Sequence, residues 1–409
     1  MTELMMLKEF FEGIPVVTCQ GSYASHPFAF RYYDAERIVA GRPMREHFRF
    51  ALPLGAARAF GLSGSDFLLA TMELLHKLGA GYYTLSDRAL AEGGGSLREH
   101  FARLGEMAEA MACLQDTFRV ECLRVHADLC SHPRYYYGAA TSYSADIFAF
   151  AAAQAKKSLE IARLLGARQF SYSAEQETRG GFYLCVNDTL ECENLLRMLQ
   201  GIKNCAQGYP GRLGLRLGAP NQNPFAPEPY WPSAAHALAF LRWGGLENEF
   251  LVDLSAQAPL SELRLLLQTG RLGLLEQRPG GGSLVIEAAK LQLELLRAGN
   301  WHGGIVLDLP PARACATPED YVIHCIMHMD AWACGLLLAQ RLLLDGRTEQ
   351  FRRERYGTFG YGIGRALLEG RADFAALEQH ALQKGEAAAL TGREEYLENV
   401  LMGMVCRGL

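Results

Sequence analysis

Eight short apolar runs alternate with eight longer amphipathic runs between about residue 48 and residue 344, and that alternation constrains this chain more than any other feature. The spacing predicts strands near 48–54, 81–85, 121–126, 168–173, 212–217, 250–255, 272–276 and 304–309, each a short run ending in small or polar residues. It predicts helices near 56–78, 97–119, 146–165, 189–207, 234–245, 260–269, 284–298 and 318–344. A right-handed strand–helix–strand crossover lays strands parallel and covers the sheet with helices, so eight repeats point to a closed (β/α)8 TIM barrel. Residues 1–344 are expected to hold this barrel and an N-terminal lead-in of 45 residues. From 345 the pattern turns to charged helices and turns, which predicts a C-terminal helical extension over 345–409, an oligomerisation arm.

Composition excludes several other classes. The 409 residues are 49% hydrophobic and 21% charged, which is incompatible with disorder and sufficient for a large core. A net charge of −5 gives no basic excess for nucleic acid or a membrane surface. No apolar run is expected to reach the roughly 18 residues of a membrane helix, and Glu3, Lys8 and Glu9 interrupt the N-terminus as no signal peptide would. Eleven cysteines without CxxC spacing are expected to be reduced and mostly buried, as in a cytoplasmic protein.

One segment is distinctive. Ser131 to Glu160 reads SHPRYYYGAATSYSADIFAFAAAQAKKSLE, and it resembles the longer class of the xylose isomerase family. The same order continues in FFEGIP (10–15), HPFAFRYYD (26–34), MREHFRFA (44–51), PEDYVIHCIMHMDAWACGL (318–336), ERYGTFGYGIG (354–364) and TGREEYLENVL (391–401). The resemblance runs essentially end to end. It implies a TIM barrel with a helical arm, commonly a tetramer, and aldose–ketose isomerisation by two divalent metals, usually Mg, Mn or Co.

The positions that the resemblance assigns to chemistry are mostly substituted. The family's catalytic His falls on Ser86 and the Asp that orients it on Ala89. The bridging Glu falls on Arg216 or Leu217 and the substrate Lys on Gly218 or Ala219. A metal Glu and a metal His are gone from Ser255-Ala256-Gln257-Ala258, a metal Asp falls on Glu276, and an acidic loop has become GGGSL (280–284). The last metal Asp persists as Asp308, and the pocket tryptophans fall on Arg124 and Tyr172. Two dications need several converging carboxylates. The strand ends offer Ser86, Asp128, Glu175, Ser255, Glu276 and Asp308, enough acids for one ion and too few for two.

The resemblance with its departures implies a xylose isomerase-like pseudoenzyme without cofactor, retained as a sugar-binding, regulatory or partner subunit. It would be a homo-oligomer, a tetramer or dimer, or would assemble with an active paralogue. The alternatives are an active sugar isomerase, or an enzyme for a phosphosugar or acidic sugar with a rewired site. Glu175, Glu276 and Asp308 are open between a residual site for one Mg, Mn or Co ion and an acid cluster neutralised by Arg124 and Arg216. Arg124, Tyr172, Arg216 and Ser255 would line the pocket.

Four other features have a bland and a functional reading. Arg278 with Gly280, Gly281 and Gly282 opens a helix after the seventh strand, as an anion nest or as a trimmed loop. His324 and His328 stand one helical turn apart, as a metal pair or as interface packing. Ser96 and Glu99, after Gly93-Gly94-Gly95, have capping-box spacing. His126 and His132 are expected to be structural, and Cys113, Cys122 and Cys130 have no nearby His–acid arrangement that would make one a nucleophile.

Overall fold

The computed structural model describes residues 9–62, 64–91, 96–173, 177, 185–218, 229–278, 284–311, 313, 315–388 and 391–406. Eight parallel strands close a barrel in sequential order: β1 (Ala51–Pro53), β2 (Tyr82–Ser86), β3 (Glu121–His126), β4 (Gln169–Ser173), β5 (Arg212–Arg216), β6 (Phe250–Ser255), β7 (Leu272–Gln277) and β8 (Ile305–Leu307). The helices that follow them are α1 (Gly64–Leu78), α2 (Leu97–Phe118), α3 (Ala145–Leu164), α4 (Asp188–Cys205), α5 (Ala234–Trp243), α6 (Leu260–Thr269), α7 (Leu284–Ala298) and α8 (Pro318–Asp345).

The predicted helix over 56–78 divides. A 3-10 turn covers Leu54–Phe60, Gly61 takes a left-handed φ of 76°, and α1 begins only at Gly64. The glycines break the 3.6-residue register that the apolar pattern alone carries through. At α2, Ser96 Oγ accepts from Glu99 N at 3.2 Å, so half of the expected capping box is seen. The full reciprocal box occurs instead at α8, between Thr317 and Asp320.

The outer shell between strands and helices holds the main apolar core, including Phe67, Phe170, Phe250 and Trp332. Inside the barrel the lowest layer is apolar: Ala51, Leu123, Leu274 and Val306. Above it the filling is polar. The β2–β3 register shifts between Tyr83 and Thr84, so Leu123 packs in the apolar layer while its neighbour Arg124 also reaches inward, to Asp253 and Glu276. Gly214 makes room for this polar layer: a Cβ there would stand 2.2 Å from Gln169 Nε2 and 2.7 Å from Ser171 Oγ.

Helix α8 is long and apolar enough to cross a membrane by composition, contrary to the sequence expectation, but 83% of that stretch is buried against the rest of the molecule. Its Asp330 accepts the backbone N–H groups of Arg31, Tyr32 and Tyr33 at 2.7–3.0 Å and so fixes the lead-in segment. Beyond α8 come α9 (Arg347–Tyr356), α10 (Gly362–Leu368), α11 (Phe374–Lys384) and α12 (Glu394–Cys406). This arm leaves Leu368, Phe374 and Leu382 largely uncovered. The cysteine expectation needs correction. Cys122, Cys325 and Cys334 are buried, but Cys19, Cys113, Cys185 and Cys315 are exposed, because several lie on loops or outer helix faces.

The His324–His328 pair lies on α8 with its Nε2 atoms 3.1 Å apart, one ring donating to the other. Burial, then the neighbouring imidazole, pushes His328 down from 6.5 to about 4. A histidine held neutral in the fold binds its proton more readily when unfolded, so stability is full above pH 6.5 and falls as pH drops toward 4. The loss should be roughly 3 kcal/mol. His328→Leu should flatten urea-unfolding midpoints over that pH range. An unchanged acid slope in the variant would assign the loss to other groups.

Candidate active site

The mouth lies at the carboxyl ends of the strands, where barrels of this class build their sites. Its centre is Glu276, the inward residue near the end of β7, only 5% exposed. Arg216, at the end of β5, grips it in a two-point fork, Nε to Oε1 at 2.7 Å and Nη2 to Oε2 at 3.2 Å. Arg124 Nη1 donates to the same Oε1 from β3, and Arg278 Nη2 reaches Oε2 at 3.2 Å. Burial alone would raise the Glu276 carboxyl, but the guanidiniums of Arg216 and Arg124 outweigh it and hold the group well below the usual range.

One layer deeper, Asp253 on β6 accepts from Gln169 Nε2 at 2.6 Å, Ser171 Oγ at 2.8 Å and Leu274 N at 2.9 Å. Arg124 Nη1 stands 3.4 Å from it. Burial raises the Asp253 carboxyl, against the lowering effect of Arg124. The two acids and two deep arginines thus form one network through the barrel interior.

The rim adds further groups. His126 ends β3, and burial, with Arg216 and Arg124, keeps its imidazole neutral. Its Nδ1 and the Oγ of Ser173, at the end of β4, are buried without a hydrogen-bond partner among the described residues. Glu177 is 1% exposed and accepts N–H groups from Ala139, Ala140 and Thr141 at 3.3, 2.8 and 3.0 Å. It also accepts the Thr141 hydroxyl at 2.7 Å and the Tyr172 phenol. Gly138 permits that turn, with φ of 89° and no space for a Cβ beside Thr141 Oγ1.

The sequence-derived site residues fall in different places. Arg124, Arg216, Arg278 and Glu276 come together. Asp308 stays at the rim, its side chain 43% exposed and 3.8 Å from Arg278 Nε. Tyr172 is buried and bonded to Glu177, so it is part of the wall's interior, not an open pocket face. Ser255 turns its hydroxyl to Gln257 Oε1 at 2.9 Å. Ser86 caps the short helix Asp87–Leu90 by accepting from Ala89 N. Glu175, Gly280, Gly281 and Gly282 lie outside the described residues. Among the described residues, no three His, Cys, Asp or Glu side chains gather as a metal donor set.

Sequence reasoning missed Asp253, Glu177 and Asp87. Asp87 is fully buried and accepts from Gln154 Nε2 at 2.7 Å and Asp128 N at 2.8 Å. An acid inside an otherwise apolar strand, FLVDLS, was the available signal for Asp253.

The structure is of the closed (β/α)8 barrel class, with a polar, charged mouth. Its fold is shared with a solved L-ribulose 3-epimerase, with a TM-score of 0.54 at 15% identity over 72% of this chain and 96% of that one. Xylose isomerase of Thermotoga neapolitana is 32% identical over 449 residues, covering 98% of this chain and 99% of that protein. Xylose isomerase of Geobacillus thermodenitrificans is 33% identical over 434 residues, covering 96% of each. Residues 352–405 match the family model described as the XylA2 C-terminal domain. The chain belongs to the xylose isomerase family.

Proposed function

We propose that this member of the family has exchanged metal chemistry for a fixed arginine–carboxylate network and serves as a sugar-binding, regulatory or partner subunit. The observation that carries the reading is the occupancy of Glu276 by Arg124, Arg216 and Arg278. A dication placed on this carboxylate would stand beside two buried guanidiniums. At about 4 Å and an effective dielectric of 20, each would repel it by roughly 8 kcal/mol, and the two together offset the roughly 15 kcal/mol that one carboxylate returns at a ligand distance of about 2.2 Å. The described donor set therefore fits neither the two ions that the family implies nor a single ion at Glu276.

The unpartnered His126 Nδ1 and Ser173 Oγ suit sugar hydroxyls, which both donate and accept. The uncovered apolar residues of the arm suit a homo-oligomer, a dimer or tetramer, or pairing with an active paralogue, in the cytoplasm.

Calorimetric titration of chelator-treated protein with Mn²⁺, with and without xylitol, tests this reading. No saturable Mn²⁺ binding and no conversion of xylose to xylulose in Mg²⁺, Mn²⁺ or Co²⁺ is the expected result. Two tight sites, or turnover with any of these ions, would return an active isomerase with a rewired site.

A further inference from the structure

The opposite end of the barrel carries a second constellation. A cavity of about 300 Å³ opens at the amino ends of β4 to β8. Its floor is the apolar layer, Leu123 and Leu274, with Leu266 and Trp301 at the side. Its charged lining is basic, Arg168, Arg212 and Arg271, with His302 and the neutral Gln169 and Asn300 beside them. Arg49, before β1, stands next to this lining and donates to the carbonyls of His302 and Gly303. Burial and the charge of Arg168 both lower its pKa, the mark of cations crowded together.

Counter-charge is short there. Arg168 pairs with Glu121 at 2.7 Å. Glu46 acts on Arg49, and Glu249 is taken by Lys203 at 2.8 Å. Among the described residues the Arg271 guanidinium binds the neutral Asn248, through its carbonyl and side-chain oxygens. Arg212 is exposed, and its guanidinium has no hydrogen bond or ion pair among the described residues. Two guanidiniums on a concave, partly apolar wall thus lack an anion.

We propose that this cavity is a binding site for a small phosphorylated metabolite of about pentose-phosphate size. The phosphate would lie between Arg212 and Arg271, whose planar forks suit its oxygens. The body would rest on Trp301 and the leucine floor. The volume is at the small end of ligand sites, which excludes dinucleotides and favours a compact molecule. The site is distinct from the mouth and does not depend on what the mouth does. One polar chain joins the two ends: Gln169 lines the cavity and binds Asp253, which faces Arg124 and so Glu276.

The test is calorimetric titration of the full-length protein with ribose 5-phosphate, inorganic phosphate and ribose, at matched ionic strength. Saturable binding of ribose 5-phosphate, tighter than phosphate and absent with ribose, is expected. Arg212→Ala should weaken it at least tenfold, Arg212→Glu should abolish it, and Arg278→Ala at the mouth should leave it intact. No saturable binding, equal affinity for bare phosphate, or loss in Arg278→Ala with Arg212→Ala unaffected would each overturn the proposal.

Discussion

Replacing Glu276 by Gln should lower folding stability by about 3–5 kcal/mol, seen as a fall in the urea midpoint with an unchanged slope. The substitution keeps the shape and one acceptor but removes the charge. Arg124, 3% exposed, and Arg216, 8% exposed, would then stay buried without the carboxylate that both of them bind. Removing one member of a buried ion group costs far more than the group contributes, because the remaining charges keep their desolvation penalty. Asp308→Asn provides the contrast. That acid is at the rim and 3.8 Å from Arg278, so its loss should change stability by less than about 1 kcal/mol. A Glu276→Gln protein within 1 kcal/mol of the parent would mean that the arginines swing to solvent, and the argument against metal at this carboxylate would fall with it. The acid limb of the pH profile separates this network from the α8 histidines. Glu276 stays ionised well below the usual carboxylate range, so the loss on acidification starts with His328 and the ion pairs of Glu276 yield only later.

The barrel was legible because its strands are short apolar runs separated by long amphipathic ones, and outside the run over 56–78 the observed bounds depart from the expected ones by a few residues. The strand expected over 304–309 pairs only over Ile305–Leu307, and the run over 56–78 breaks at Gly61, where backbone freedom overrides apolar spacing. The mouth was legible in kind, since arginines at positions 124 and 216 stand where neighbouring strand ends must converge. Its depth was not. The partners of Asp253 are Gln169 and Ser171, more than 80 residues away, and only the pairing of β4 and β6 on either side of β5 brings them together. The choice between Glu175 and Glu177 is also beyond periodicity. Two acids two residues apart look alike until the turn at Gly138–Thr141 is seen to grip one of them.

That grip leads to the second large effect. Glu177→Ala should cost about 3–5 kcal/mol, comparable to loss of the central carboxylate, although no ion pair is involved. The side chain gathers three backbone N–H groups and two hydroxyls, and it ties the segment after β3 to the end of β4. Without it, the donors of Ala139, Ala140 and Thr141 would be buried and unsatisfied, since those residues are at most 2% exposed. The Tyr172 phenol, raised well above its usual range by burial and then by Glu177, is protonated at any working pH and would lose its acceptor too. Glu177→Gln should recover part of the loss, because its carbonyl still accepts while its amide faces donors. Hydrogen exchange distinguishes a local role from a global one. The amides of residues 139–141 should lose at least a hundredfold of protection in Glu177→Ala, under conditions where those of β6 and β7 keep theirs. Unchanged protection at these three amides would show that the turn holds itself. The carboxylate would then be free for a ligand at the mouth beside His126 and Ser173.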